Sequence, residues 1–326
     1  GKVALFRVQS GKTATAVLVD PSSGQVIEAR AWGESWYSFA NKVHGTLMIE
    51  DTGDRLIEIA AGFGIVLVVS GLYLWWPRNG DRLRSKLIPA PSVPGRARWK
   101  SLHQSIGAWI AALLLVFLVS GMSWTGIWGD KFVQACSTRR AEKGGAPLSD
   151  ETHASLNGNG EAEGPWALEK APLPISGSLK GTAALPVGAL ITIDSITDYA
   201  RSLGFAGRFQ VNLPAGATGV WTISHDSSSN DGHDPWGDRT LHLDQYSGKV
   251  LADVRYSDYS LYAKAMAWGI AFHEGDLGNW NLALNTVFCL SILLLSASGL
   301  VMWWQRRPQG ALRLAAPPMP AELPLW

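Results

Sequence analysis

The chain has 326 residues, 47% of them hydrophobic and 17% charged, with a formal net charge of +1. A balance so near neutral gives no purchase on the nucleic-acid backbone, and two cysteines are too few for a disulfide framework or a zinc site. What remains is either two soluble domains or a membrane bundle carrying attached modules, and the placement of the apolar residues decides for the bundle.

In chain order, KVALFRVQ and TATAVLVD read as strands, followed by the turn PSSG and the strand QVIEARAW. Alternation at Val17, Val19 and Val26 predicts a half-buried antiparallel sheet. His44 follows in KVHGTL, and after the break DTGD comes a first span, Leu56 to Trp76, with Glu58 as its single acid. A short loop, 77–101, holds Arg78, Arg82, Arg84, Lys86, Arg96, Arg98 and Lys100 against Asp81, which places it on the cytoplasmic side. The second span, Leu102 to Trp128, opens with His103. A large outer segment, 129–272, begins with an irregular stretch over 137–190, rich in Gly, Pro, Ser and Ala. A short amphipathic helix over 195–204 and strands RFQVNLP, GVWTISHD, RTLHLDQ and VLADVRY complete that segment. His273, in AFHEGD, precedes the third span, Trp280 to Trp304, and a basic tail over 305–326 is cytoplasmic. Trp75, Trp76, Trp124, Trp128, Trp303 and Trp304 stand at span ends as interfacial belts. With residues 1–55 outside the membrane, a fourth span upstream of Gly1 is expected.

The two halves share a grammar. VDPSSGQVIEA and LDQYSGKVLADV each read strand, acid, turn, SG, strand, and SGLYLWWPR at 70–78 returns as SGLVMWWQR at 298–306. His44 precedes Ser70 by 26 residues and His273 precedes Ser298 by 25, so both histidines fall at the outer mouth of a span. His103 stands at the opposite mouth, with Gly107 four residues on and Gly121 five helical turns on, one face along which a flat ligand can lie. Two quasi-equivalent histidines at one mouth suit bis-imidazole ligation of haem iron, and His103 would serve a second haem whose other ligand is not visible. The alternatives are a structural or interfacial role for each histidine and helix packing for the glycines. His225, His233 and His242 lie in SHDSSSNDGHDPWGDRTLH, read as a surface loop rather than a metal site; His153 shares the outer segment.

VHGTLMIEDTGDRL running into SGLYLWWPR, WKSLHQSIGAWI into LVSG, AFHEGDLGNW into SGLVMWWQR, and the units VDPSSGQV and LDQYSGKV resemble the PepSY-associated transmembrane family of bacterial inner-membrane proteins. Within it the resemblance is to the haem-containing ferric-siderophore reductases. That resemblance implies four helices, periplasmic α+β PepSY-like modules, and b-type haem, two per chain, with His44, His103 and His273 as iron ligands. It implies an oxidoreductase of the inner membrane that takes electrons from a donor protein or quinol and reduces a ferric siderophore outside. No C-x-x-C-H and no strand-borne G-x-G-x-x-G occurs, so non-covalent haem and a donor other than a bound dinucleotide are expected. A non-redox module that binds a periplasmic protein is the alternative. A proton-relaying transporter is disfavoured by the scarcity of polar residues in the spans.

Overall fold

The computed structural model describes residues 3–10, 13–78, 83–90, 92–134, 145–157, 165–186, 188–227 and 234–306. Asp81, Arg82, Cys136, His233 and the tail beyond Arg306 lie outside the described residues. The chain divides into two compact units, Gly1–Val66 with Leu115–Asn285, and Leu67–Leu114 with Thr286–Trp326.

Three helices are long and apolar enough to cross a membrane: α2 (Glu50–Trp75), α4 (Arg96–Gly121, extended by a 3-10 turn to Trp124) and α7 (Asn279–Trp304). Large apolar side chains such as Leu67, Leu74, Leu293 and Leu300 stand 65–72% exposed on them, which suits a hydrocarbon solvent and no aqueous one. The second span differs from its sequence reading at both ends. It starts at Arg96, taking in three basic residues, and stops at Trp124, with Trp128 beginning a separate six-residue π-helical turn, Trp128–Val133. The reason is local: Thr125 is extended, and carboxylates on α2 take the N–H groups that a longer helix would have bonded internally. Asp54 accepts from Gly126 N at 2.9 Å, and Glu58 from Trp128 N at 2.7 Å. Glu58, the acid that interrupts the first span, is thus employed as a cap.

In the larger unit, β1 (Ala4–Ser10), β2 (Thr13–Val19) and β3 (Val26–Ala31) form an antiparallel meander. Val17 and Val19 are half-buried as expected, but Val26 is 60% exposed, because β3 is an edge strand with no covered face. α1 (Trp36–Thr46) follows, its N-terminus capped by Ser35 and its last turn carrying His44.

Over its described residues the segment 129–272 is more regular than its composition suggests. Its first part contains β4 (Leu148–Thr152) paired with β5 (Pro172–Pro174), and β6 (Thr182–Ala183). β6 joins β7 (Gln210–Asn212), β8 (Val220–His225), β9 (Arg239–Asp244) and β10 (Lys249–Arg255) in a five-stranded antiparallel sheet of order β6-β10-β9-β8-β7. α5 (Ile193–Ser202), held by a Thr192–Ser195 capping box, lays Ile196 and Ala200 against Trp221, Ile223, Leu241 and Leu243 to form the core of this module. The sheet leads into α6 (Leu261–Glu274), whose stripe of Ala263, Ala267, Ile270 and Ala271 is buried and whose last turn carries His273.

The duplicated turn is a duplication of bonds. Gly24 N donates to Asp20 O at 2.8 Å and Gly248 N to Asp244 O at 3.0 Å, both glycines at positive φ, while each aspartate side chain accepts from the backbone two residues on. A β-bulge accompanies each turn, at Leu18/Val19 and at Val250/Ala252.

In the smaller unit, α3 (Leu83–Leu87) is bound to the start of α4. Trp109 Nε1 donates to Leu87 O at 3.0 Å and Ser105 Oγ to Lys86 O at 3.2 Å, so the basic loop is folded rather than loose over these residues.

Candidate functional site

Each copy of the repeat ends in a helix whose last turn bears a histidine, a sharp break, and then a span. In the first copy the break falls at Leu47–Ile49, ahead of DTGD, which lies inside α2. Leu47, Met48 and Glu50 take φ of 50°, 63° and 49°, a conformation non-glycine residues adopt only under constraint. The glycine of the region serves a different end: a Cβ at Gly53 would stand 1.6 Å from Thr46 O, so only glycine lets the start of α2 pack on the end of α1. In the second copy the break coincides with EGDLGN, and Gly275 at φ 91° ends α6.

These breaks bring the repeat-related histidines together. The His44 and His273 rings lie 6.2 Å apart between centroids, inclined at 55°. His44 is exposed and His273 half-buried. Burial, reinforced by the neighbouring His44, pushes the His273 imidazole down to about 4, so at neutral pH it is an uncharged lone-pair donor.

The His273 ring is enclosed by α4 and its extension. Phe117 lies 4.8 Å away between ring centroids and Trp124 stands edge-on at 5.5 Å. Ser120 Oγ meets His273 Nδ1 at 3.2 Å, and a Cβ on Gly121 would come within 3.3 Å of His273 Cε1. From the other side, Asn281 Nδ2 donates to Phe272 O at 3.0 Å, and Asn285 Nδ2 to Phe272 O at 3.0 Å and His273 O at 3.1 Å. Two asparagines four residues apart thereby satisfy carbonyls at the end of α6 and hold the histidine's backbone.

His103 belongs to the smaller unit. Its Nδ1 meets Ser298 Oγ at 2.8 Å, and its Cε1 lies 3.8 Å from where a Gly299 Cβ would be. Gly107 is set against Leu295 of α7 at ordinary contact distance, 3.7 Å from a built Cβ, the close approach that small residues allow between spans.

Sequence reasoning names the histidines, and it names Gly107 and Gly121 as one face with His103, whereas the structure sets Gly121 against His273 and Gly107 against Leu295; it does not name Ser120, Ser298, Asn281, Asn285 or Phe117. A signal for the serines is present, since each opens an SG pair, yet in a single apolar run that pair marks no more than a helix end. The surface-loop reading fails at His242, and His233 lies outside the described residues. His153 and His242 are buried, with His153 Nε2 and His242 Nε2 2.9 Å apart, His153 Nδ1 on Ala171 O and His242 Nδ1 on Thr222 Oγ1. Desolvation takes His153 down to about 4 and His242 well below the usual range, so the pair is a neutral internal brace. His225, at the end of β8, is half-exposed and meets Arg208 O at 2.9 Å.

An iron between two imidazoles, bonded at about 2 Å to one nitrogen of each, separates the ring centroids by roughly 6 Å. The 6.2 Å between His44 and His273 fits that arrangement, as do the neutral state of His273 and the occupation of its Nδ1 by Ser120. Among the described residues, no group of three or more metal-binding side chains occurs. No curated protein matches the chain. The family model for the PepSY-associated TM region matches residues 2–306, nearly the whole chain and every element described above. The three apolar helices and this match together establish that the chain is a multi-pass membrane protein belonging to the PepSY-associated transmembrane family.

Proposed function

We propose that the protein is a transmembrane b-haem oxidoreductase of the bacterial inner membrane, passing electrons from a cytoplasmic-side donor or quinol to an acceptor outside, a ferric siderophore. The observation that carries this reading is the approach of His44 and His273, two repeat-related imidazoles at metal-sandwich separation. His44 and His273 would hold one haem and His103 would ligate a second. Bound haem supplies a reversible one-electron couple. The chain's own contribution is to set that couple: it keeps His273 neutral by burial, walls it with Phe117 and Trp124, and fixes its backbone through Asn281 and Asn285. Exposure of His44 supports electron exit at this mouth, where a large polar chelate that cannot enter lipid can approach. Hard Fe(III) is gripped by oxygen donors, and one electron relaxes that grip.

Replacing His273 with Ala tests the assignment. The variant should lose the spectrum of the outer haem and the reduction of an external ferric chelate together. A variant that keeps both would remove His273 from the pathway.

A further inference from the structure

The phrase SG occurs toward the C-terminal end of all three apolar helices, as Ser70–Gly71, Ser120–Gly121 and Ser298–Gly299. In all three the serine hydroxyl donates to the carbonyl three residues back: Ser70 to Leu67 O at 3.2 Å, Ser120 to Phe117 O at 3.3 Å and Ser298 to Leu295 O at 3.0 Å. The bond is therefore a habit of the pair in its own helix.

A hydroxyl has one proton, and one that goes to its own helix leaves only a lone pair for an imidazole. Ser120 Oγ meets His273 Nδ1 at 3.2 Å and Ser298 Oγ meets His103 Nδ1 at 2.8 Å, a geometry that suits an Nδ1–H tautomer with the lone pair on Nε2. The glycine that follows completes the arrangement. It lies under Cε1 of the same ring, with a built Cβ at 3.3 Å for Gly121 and His273 and at 3.8 Å for Gly299 and His103. Two histidines in different units, one closing α6 and one near the start of α4, are held by the same two residues in the same way.

We propose that the Ser–Gly pair is a histidine seat: Ser120 and Ser298 are positioning residues that set the tautomer and the donor strength of His273 and His103 toward haem iron. This rests on the haem reading above. A hydrogen bond accepted from Nδ1–H makes the imidazole a stronger base at Nε2, which favours ferric iron and lowers the haem's midpoint potential.

The test is a spectroelectrochemical titration of the full chain in detergent, for the parent protein, Ser120→Ala, Ser298→Ala, and the hydroxyl-retaining Ser120→Thr and Ser298→Thr. Alanine is smaller than serine and leaves the helix intact. Each alanine variant should keep its haem while raising the midpoint potential of one component only, a different component for each serine, and threonine should return it toward the parent value. Haem-loaded alanine variants with unchanged potentials would overturn the seat and leave the haem reading standing. A shift with Ser120→Ala alone would keep the outer seat and overturn the inner one. A parent protein that binds no haem would overturn both the reading and the seat.

Discussion

His242 and His153 illustrate what a single buried side chain does to this molecule. Their imidazoles form a chain from Thr222 through His242 and His153 to the carbonyl of Ala171, so four polar atoms are satisfied without water and the segment around β5 is tied to the central sheet. Both folded-state pKa values are depressed, the first cause being burial, whereas an unfolded histidine titrates near about 6.5. A depressed pKa means that the unfolded chain takes up the proton first. The stabilisation is thus complete above about pH 6.5 and drains away as the pH falls toward 4, by up to about 1.4 kcal/mol per pH unit for each histidine. Hydrogen-exchange protection of β8 and β9 should accordingly be level from about pH 8 to 7 and fall steadily below about 6.5. His242→Leu should make that fall shallower, leaving the contribution of His153, while lowering protection at neutral pH by about 1–3 kcal/mol, because the His153 Nε2 is left buried without a partner. None of this is legible in SHDSSSNDGHDPWGDRTLH. The polar letters around His242 conceal that it sits on an inward position of β9, and its partner lies 89 residues earlier in a stretch whose composition resembles a loop.

At the scale of elements, periodicity carries most of the reading. Long uncharged runs reveal the spans, and the VDPSSGQV and LDQYSGKV pair reveals a turn that the structure repeats down to its bonds. Element ends are less legible, since they depend on partners distant in sequence. The second span stops where Asp54 and Glu58 take its backbone N–H groups, and the first copy's break falls on Leu47–Ile49 rather than on the glycine beside it. That glycine gives a sharp prediction. Gly53→Ala would drive a methyl into Thr46 O at 1.6 Å, so α1 must pull away from α2 and carry His44 with it. A haem ligated by His44 should then lose its six-coordinate low-spin absorption for a five-coordinate spectrum, with His273 still in place. An unperturbed spectrum would mean that the position of His44 does not depend on this contact.

For the molecule as a whole, family membership and three helices long and apolar enough to cross a membrane are established, and the redox reading joins them through the histidines. The sequence points to His44 and His273 because the repeat places them at nearly equal distances from matching spans. It does not reveal the groups that hold them, because Ser120, Asn281 and Asn285 are ordinary helix residues until the fold sets them beside His273. The rival possibility, a non-redox module that docks a periplasmic protein, uses the same fold and requires no cofactor. One measurement separates the two most directly: the absorption spectrum of the full chain purified in detergent, oxidised and then reduced with dithionite, with haem quantified per polypeptide. A haem-bearing electron carrier predicts a Soret band that shifts on reduction, resolved α and β bands, and haem lost from the outer site in His273→Ala. A colourless protein, even from cells amply supplied with haem, would contradict it.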